Sequence, residues 1–288
     1  MGMDRNWTAH RELWERAFGD TETYIQYYFA NKAPRSRCFD NWQEKQLCAM
    51  AFFTPYEAIL YGEKIVLPYI VGVATKEEFR HQGRMTALLT EGFEEELAKG
   101  SPLVFLSPAN TAIYEPLGFV SVYCRDTLQL TGDGDKWCEV RRWSELKLAE
   151  QEQISQMAEH ILAGEKFDLR LIHSVSYYNE VCKELEALGG TLLTCWQQNT
   201  PLAVANWIYE EEKNKITEWI GLPEYRENVL QTLQSYLQTD IYIEDTYFLE
   251  GIRLPDTKRI KQPFPYLMVR MLDTSVPLPE HCYINDIT

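Results

Sequence analysis

Between residues 64 and 130 the apolar pattern switches from strand to helix and back. Lys64–Thr75 is a long Ile- and Val-rich run that reads as a strand. After a polar interval, Met85, Leu88, Leu89, Phe93 and Leu97 fall on one face of a helix; Glu91, Glu94, Glu95 and Glu96 lie on the other, and Gly100 ends it. Leu103–Ser107 is a second strand, followed by a short helix around Thr111–Leu117 and a strand from Phe119 to Leu130. Strand, crossing helix and strand in this order build an α/β sheet. Pro68 interrupts the first strand and, having no N–H to donate, demands an edge or a bulge there. A bulge leaves backbone groups beyond it unpaired and open to a ligand.

The 288 residues correspond to about two domains at roughly 100–200 residues each. Two short helices come first, with stripes Leu13, Trp14, Ala17, Phe18 and Tyr24, Ile25, Tyr28, Phe29, separated by Gly19 and a capping Asp20. Strands at Arg37–Asn41 and Gln46–Phe53 precede the long one. Thr131-Gly132-Asp133-Gly134-Asp135 marks a boundary, giving an N-terminal domain of residues 1–132 and a C-terminal one of residues 137–288. The second half carries helices at Ser144–Leu162 and Val175–Leu188, strands at Thr191–Gln197, Ala203–Glu210 and Lys215–Leu222, and a helix at Glu224–Leu237. Strands near Ile241–Asp245 and Tyr266–Leu272 complete it. The order repeats that of the first half, so the chain reads as an internal duplication of α/β (α+β) domains, mixed central sheets flanked by helices.

Charge and composition exclude several function classes. Asp and Glu number 43 against 28 Lys and Arg, a net charge of −15, which argues against nucleic acid and mildly favours a cationic substrate. The longest apolar run, Ile65–Ala74, contains Pro68 and falls short of the ~20 residues of a membrane span. The N-terminal residues read as neither a signal peptide nor a myristoylation signal. Seven cysteines without a C-x-x-C pair read as free thiols of a reducing cytoplasm. Five scattered histidines predict no metal, and Asp133-x-Asp135 lacks the Glu that ends a calcium loop, having Ser144 there.

The two halves differ at one equivalent point. In the first, the strand ends Val73-Ala74-Thr75 and a helix starts after Arg80-His81-Gln82-Gly83-Arg84-Met85. A helix N-terminus behind a strand is an anion site, since its first N–H groups lack partners and the macrodipole is positive there. Gly83 permits close backbone approach, and Arg80 and Arg84 add charge. In the second half Pro223-Glu224-Tyr225-Arg226-Glu227 puts two carboxylates at that place. The second copy is degenerate. Neither a Walker A motif nor a Rossmann fingerprint is present.

Val71–Thr75 followed by Arg80–Met85 resembles the acetyl-CoA motif of the GNAT N-acetyltransferases, Arg/Gln-x-x-Gly-x-Gly/Ala. Phe105–Asn110 with Ile113-Tyr114-Glu115-Pro116-Leu117-Gly118-Phe119 is similar to the family's second signature, Tyr-x-x-x-Gly-Phe. The pairing of two such domains resembles the Eis-like (enhanced intracellular survival) branch, which adds a C-terminal sterol-carrier-like domain; with the sequence read to Thr288, that third domain is not expected here. Met85 departs from the motif, standing where the family has a small residue. The strong match covers about residues 45–125.

The resemblance implies two tandem GNAT-like domains and residue roles. Val73, Ala74 and Thr75 would pair with the pantetheine arm of acetyl-CoA, the Val73 N–H near the thioester oxygen. His81, Gln82, Gly83, Arg84, Met85 and Thr86 would offer backbone N–H groups to the pyrophosphate, and Asn110 would contact the arm. Tyr114 would be the general acid; without the motif it reads as a core tyrosine beside Phe119. The branch implies a terminal carboxylate as base, here Thr288, against the simpler reading of a frayed terminus. An aromatic-rich cleft between the domains could draw on Trp42, Tyr69, Trp196 and Trp207, each of which also suits a core. The implied activity is transfer of acetyl from acetyl-CoA to the primary amine of a small molecule or peptide, with no nucleic-acid or membrane partner. The alternative is a non-catalytic CoA-responsive binding protein.

Overall fold

The computed structural model describes residues 6–244, 247–249, 257–259 and 264–284. Helix α1 (Thr8–Phe18) ends on left-handed Gly19, and α2 (Glu22–Tyr27) is capped by the Thr21 hydroxyl, which accepts from the Tyr24 amide at 3.3 Å. The expected cap, Asp20, instead accepts from Trp14 Nε1 at 2.7 Å. Strands β1 (Arg37–Gln43), β2 (Gln46–Leu60) and β3 (Glu63–Thr75) form an antiparallel meander. Helix α3 (Arg84–Ala98) crosses to β4 (Leu103–Leu106). Leu88, Leu89 and Phe93 of α3 are buried as expected, whereas Leu97 is 48% exposed. Gly92 takes the fourth core position, because a methyl there would overlap the Phe53 ring.

The expected strand over 119–130 is two strands in two different sheets, β5 (Val120–Arg125) and β6 (Leu128–Leu130). Then follow β7 (Glu139–Arg142), α4 (Leu148–Gly164), β8 (Leu169–Leu171), α5 (Val175–Ala187), β9 (Thr191–Gln197), β10 (Thr200–Glu210) and β11 (Lys213–Gly221). The described residues end with α6 (Arg226–Leu237), β12 (Ile241–Ile243), β13 (Thr257–Arg259), β14 (Phe264–Met271) and β15 (Cys282–Tyr283).

Two mixed sheets result. The first runs β15-β8-β2-β3-β4-β14-β5, with β1 also on β2; the second runs β13-β6-β12-β11-β10-β9-β7. Helices pack on both, giving the mixed α/β architecture expected. Strand membership does not follow a division at residues 132–137, however. Strand β14, from the end of the chain, lies between β4 and β5, while β6 lies between β12 and β13. The second half therefore lends β8, β14 and β15 to the first sheet, and the first half lends β6 to the second. A buried pair also joins the halves: Lys32 Nζ donates to Glu184 Oε1 at 2.6 Å and to the Tyr56 hydroxyl at 3.2 Å. All seven cysteines are free thiols; six are buried and Cys124 is exposed. Among the described residues, no helix is long and apolar enough to cross a membrane.

Candidate active site

The long strand β3 is bulged, but not at its proline. Pro68 faces Pro55 of β2 in direct register. Two residues without N–H groups fit opposite each other only at a non-hydrogen-bonded position, so the ladder passes them undisturbed. The register slips further on, where Met50 faces Ala74 and Phe52 faces Val71, so that Gly72 and Val73 stand opposite Ala51 alone. Gly72 has φ +62°, and a methyl there would overlap the Trp14 ring and come within 3.0 Å of Phe52 Cδ2. A left-handed, sterically enclosed position inside a strand requires glycine.

Beside the bulge the sheet splits. Strands β3 and β4 meet at one register pair, Tyr69 with Phe105. Among the described residues no strand pairs with the edge of residues 70–75 that faces β4. On its other edge Ala74 and Thr75 remain registered with Met50 and Ala49. A wedge thus opens between two parallel strands, one edge bulged.

The loop after β3 reaches α3 through left-handed His81 (φ +59°) and Gly83 (φ +73°). The first amide of the helix bonded within the chain is that of Ala87, to the Gly83 carbonyl at 2.9 Å; among the described residues the amides of 81–86 meet no acceptor. His81, Gln82, Gly83 and Thr86 are exposed, and this cluster of free donors at the positive end of α3 suits an anion. The arginines do less than their charge promised. Arg84 donates to Asn41, to Gln43 Oε1 at 2.6 Å and to Gln82 Oε1 at 3.2 Å, which braces the loop against β1. Arg80 Nε donates to the Thr75 carbonyl at 3.3 Å. Met85 is half-buried and packs with Val73 against the core that contains Leu88, Leu89 and Phe93.

Beyond β4, Asn110 caps a short turn, its Oδ1 accepting from the Ala112 amide at 3.0 Å. That turn presents Tyr114, whose ring packs edge-on against Phe119 with centroids 5.7 Å apart. Tyr114 is thus both a neighbour of Phe119 and a wall of the wedge. Burial pushes its phenol up from the usual range, and among the described residues its hydroxyl makes no hydrogen bond.

The wedge opens into a cavity of about 620 Å³. The first half lines it with Trp14, Asp20, Tyr69–Val73, Ser107–Ala109 and Tyr114; the second half adds Ile208, Glu210, Thr217, Glu244 and Tyr266. Of the four aromatic residues expected in a cleft, only Tyr69 is there. Trp196 is buried in the core, Trp42 is 46% exposed on β1, and Trp207 donates to Asn214 Oδ1 at 2.8 Å. Asp20, Glu210 and Glu244 supply carboxylates, against one cation, Arg125, among the described lining residues. Lys215 pairs with Glu210 and lies 3.8 Å from Glu244. Sequence reasoning missed Trp14, Asp20, Glu210, Glu244 and Tyr266 in these walls, which assemble from distant segments. Gly72 did carry a signal, a glycine inside a Val-rich strand. Thr288 lies outside the described residues. Away from the cavity, donor atoms of His10, Cys38 and Asp40 gather within 4.8 Å, with His10 Nε2 and Asp40 Oδ2 bonded at 3.0 Å; spacing along the chain hid this convergence of α1 and β1.

Residues 3–122 match the family model described as Acetyltransferase (GNAT) domain. The GNAT description covers the first part of this chain. The whole fold is also similar to several solved structures. A GCN5-related N-acetyltransferase from Anabaena variabilis superposes with TM-score 0.69 at 13% identity, covering 94% of this chain and 71% of that one. Eis1 from Mycobacterium abscessus gives 0.65 at 10% identity, over 92% and 70%. Saccharomyces cerevisiae N-myristoyltransferase with bound myristoyl-CoA gives 0.61 at 9%, over 93% and 80%. At these identities the likeness is one of fold. No curated protein matches the sequence. The GNAT match ends at residue 122, yet the sheet that holds the matched strands also contains β8, β14 and β15 from the second half.

Proposed function

We propose that this protein moves an acetyl group from acetyl-CoA directly to a primary amine of a small molecule or peptide. One observation carries the reading: the bulge at Gly72–Val73, a bare strand edge and the Tyr114 ring all face one cavity. In this reading the edge of Val73–Thr75 receives the pantetheine arm as an added strand. The amides of His81, Gln82, Gly83, Arg84, Met85 and Thr86 receive the pyrophosphate, helped by the helix dipole. Asn110 holds the turn that presents Tyr114.

The Val73 N–H polarises the thioester carbonyl and stabilises the oxyanion that forms when the amine attacks. As the C–S bond breaks, Tyr114 gives its proton to the departing thiolate, and the proton released by the amine restores the phenol. A raised pKa keeps the phenol protonated for that task. A lysine-like amine must first lose its own proton, at a cost of about 4.6 kcal/mol at neutral pH from a pKa of ~10.4. Asp20, Glu210 and Glu244 outnumber the neighbouring cations Arg125 and Lys215, which leaves a negative balance that attracts the cationic form to the cavity.

The test has two stages. Thermal shift with acetyl-CoA and with CoA should show stabilisation by both, and thiol release across a panel of primary amines should then identify an acceptor. Stabilisation without thiol release on any amine would favour a CoA-responsive binding protein. No stabilisation would end the cofactor reading.

A further inference from the structure

We infer that Trp14 is a positioning residue for acyl transfer: wedged beneath Gly72 and fixed by Asp20, it holds the β3 bulge in its donor-binding shape. The inference rests on the donor reading above. Trp14 sits on the last turns of α1 and is 3% exposed. Gly19, at φ +71°, reverses the chain and returns Asp20 beside the indole, where its carboxylate accepts from Trp14 Nε1 at 2.7 Å. One ring face lies on Tyr28, centroids 4.2 Å apart. The six-membered edge abuts Gly72, leaving no space for even a methyl group.

Held by the Asp20 carboxylate, the Tyr28 ring and the Gly72 backbone, the indole has one orientation. That matters because a bulge is removable. Sliding β3 against β2 would pair Gly72 or Val73 with Ala51 and swing the Val73 N–H by half a pleat, away from the wedge. Trp14 occupies the space beneath the bulged residue and so opposes that slide. Trp14, Asp20, Gly72 and Val73 all line the cavity, so this support lies directly beside the reacting centre.

The experiment measures binding of acetyl-CoA and of CoA to the full chain by calorimetry, with kcat from thiol release on the amine found active. One hydrogen bond to the thioester oxygen corresponds to roughly a two- to tenfold preference for acetyl-CoA over CoA. Trp14→Phe, which keeps an aromatic ring but loses the N–H and the longer edge, should abolish that preference and lower kcat at least tenfold. Its affinity for CoA should stay within twofold of the wild type. Asp20→Ala, at a half-exposed turn, leaves the core intact and should shift both readouts the same way, so the idea stays testable if the ring variant folds poorly. Wild-type preference and kcat in both variants would overturn the inference. A wild type that binds neither acetyl-CoA nor CoA would overturn the donor reading instead.

Discussion

Tyr114→Phe removes one oxygen from the cavity wall, and the structure allows its consequences to be separated. Because the hydroxyl makes no hydrogen bond among the described residues, its loss strands no buried partner. The ring keeps its edge-on packing with Phe119 at 5.7 Å. Stability should therefore change by less than about 0.5 kcal/mol, a Tm shift under about 2 °C for a chain of this size. Affinity for CoA should also hold, since the loop proposed to receive the pyrophosphate follows β3, whereas Tyr114 follows β4. Chemistry should suffer alone. Loss of a general acid costs roughly 10²–10⁴ in rate, about 2.7–5.4 kcal/mol at 1.36 per decade. A thiolate of reference pKa ~8.5 leaves without much help, which places the expectation near the lower end, about a hundredfold in kcat with KM unchanged. Thiol release with a saturating amine, calorimetry with CoA and a melting curve report the three quantities. A variant with full kcat would refute the assignment of Tyr114 as acid; a variant with a collapsed Tm would refute the account of its hydroxyl.

Further outcomes follow from the same structure. With the Tyr114 phenol raised, kcat/KM should climb with pH as the amine deprotonates and show no descending limb below pH 10; a fall near pH 8–9 would assign the proton donor elsewhere. Lys32→Met leaves the Glu184 carboxylate buried without its cation and should cost about 3–5 kcal/mol, a Tm drop on the order of 10 °C. Adding Glu184→Leu should recover at least half of that loss, and no recovery would mean that shape, not charge, governs the site. Iodoacetamide under native conditions should modify Cys124 first, because the other six thiols are buried. Cys138 is the informative control: its hydrogen bond with Cys195 pulls its thiol down to about 7, yet burial should keep it slow, as mass spectrometry would show.

Local physics made much of the chain legible. Helix α3 follows from its 3.6-residue stripe and its glycine start, and α1 from Leu13, Trp14 and the Gly19 stop, because those signals act within one or two turns. The hairpins joining β9, β10 and β11 follow from runs of strand-forming residues separated by short polar turns. The loop Arg80–Thr86 and the turn holding Tyr114 were readable as motifs, since each places its donors through backbone conformation alone. The errors came where a signal had two solutions. Pro68 allowed a bulge but found a facing proline instead, and the bulge went to Gly72. Arg84 carried the right charge for an anion, yet Asn41 and Gln43 of β1 claimed its guanidinium.

The sequence by itself determined the long helices and the longer strands, and where the free amides and the phenol stand along the chain, because these depend on neighbours a few residues away. Only the tertiary structure decided how the sheets are completed, with β14 serving the first and β6 the second, because an edge strand's hydrogen bonds accept any strand of suitable length and do not encode its origin. It likewise decided the cavity, where Trp14 and Asp20 meet Glu210, Glu244 and Tyr266 from the far end of the chain. Convergence of that kind depends on how packed layers bury their faces, a property of the whole fold.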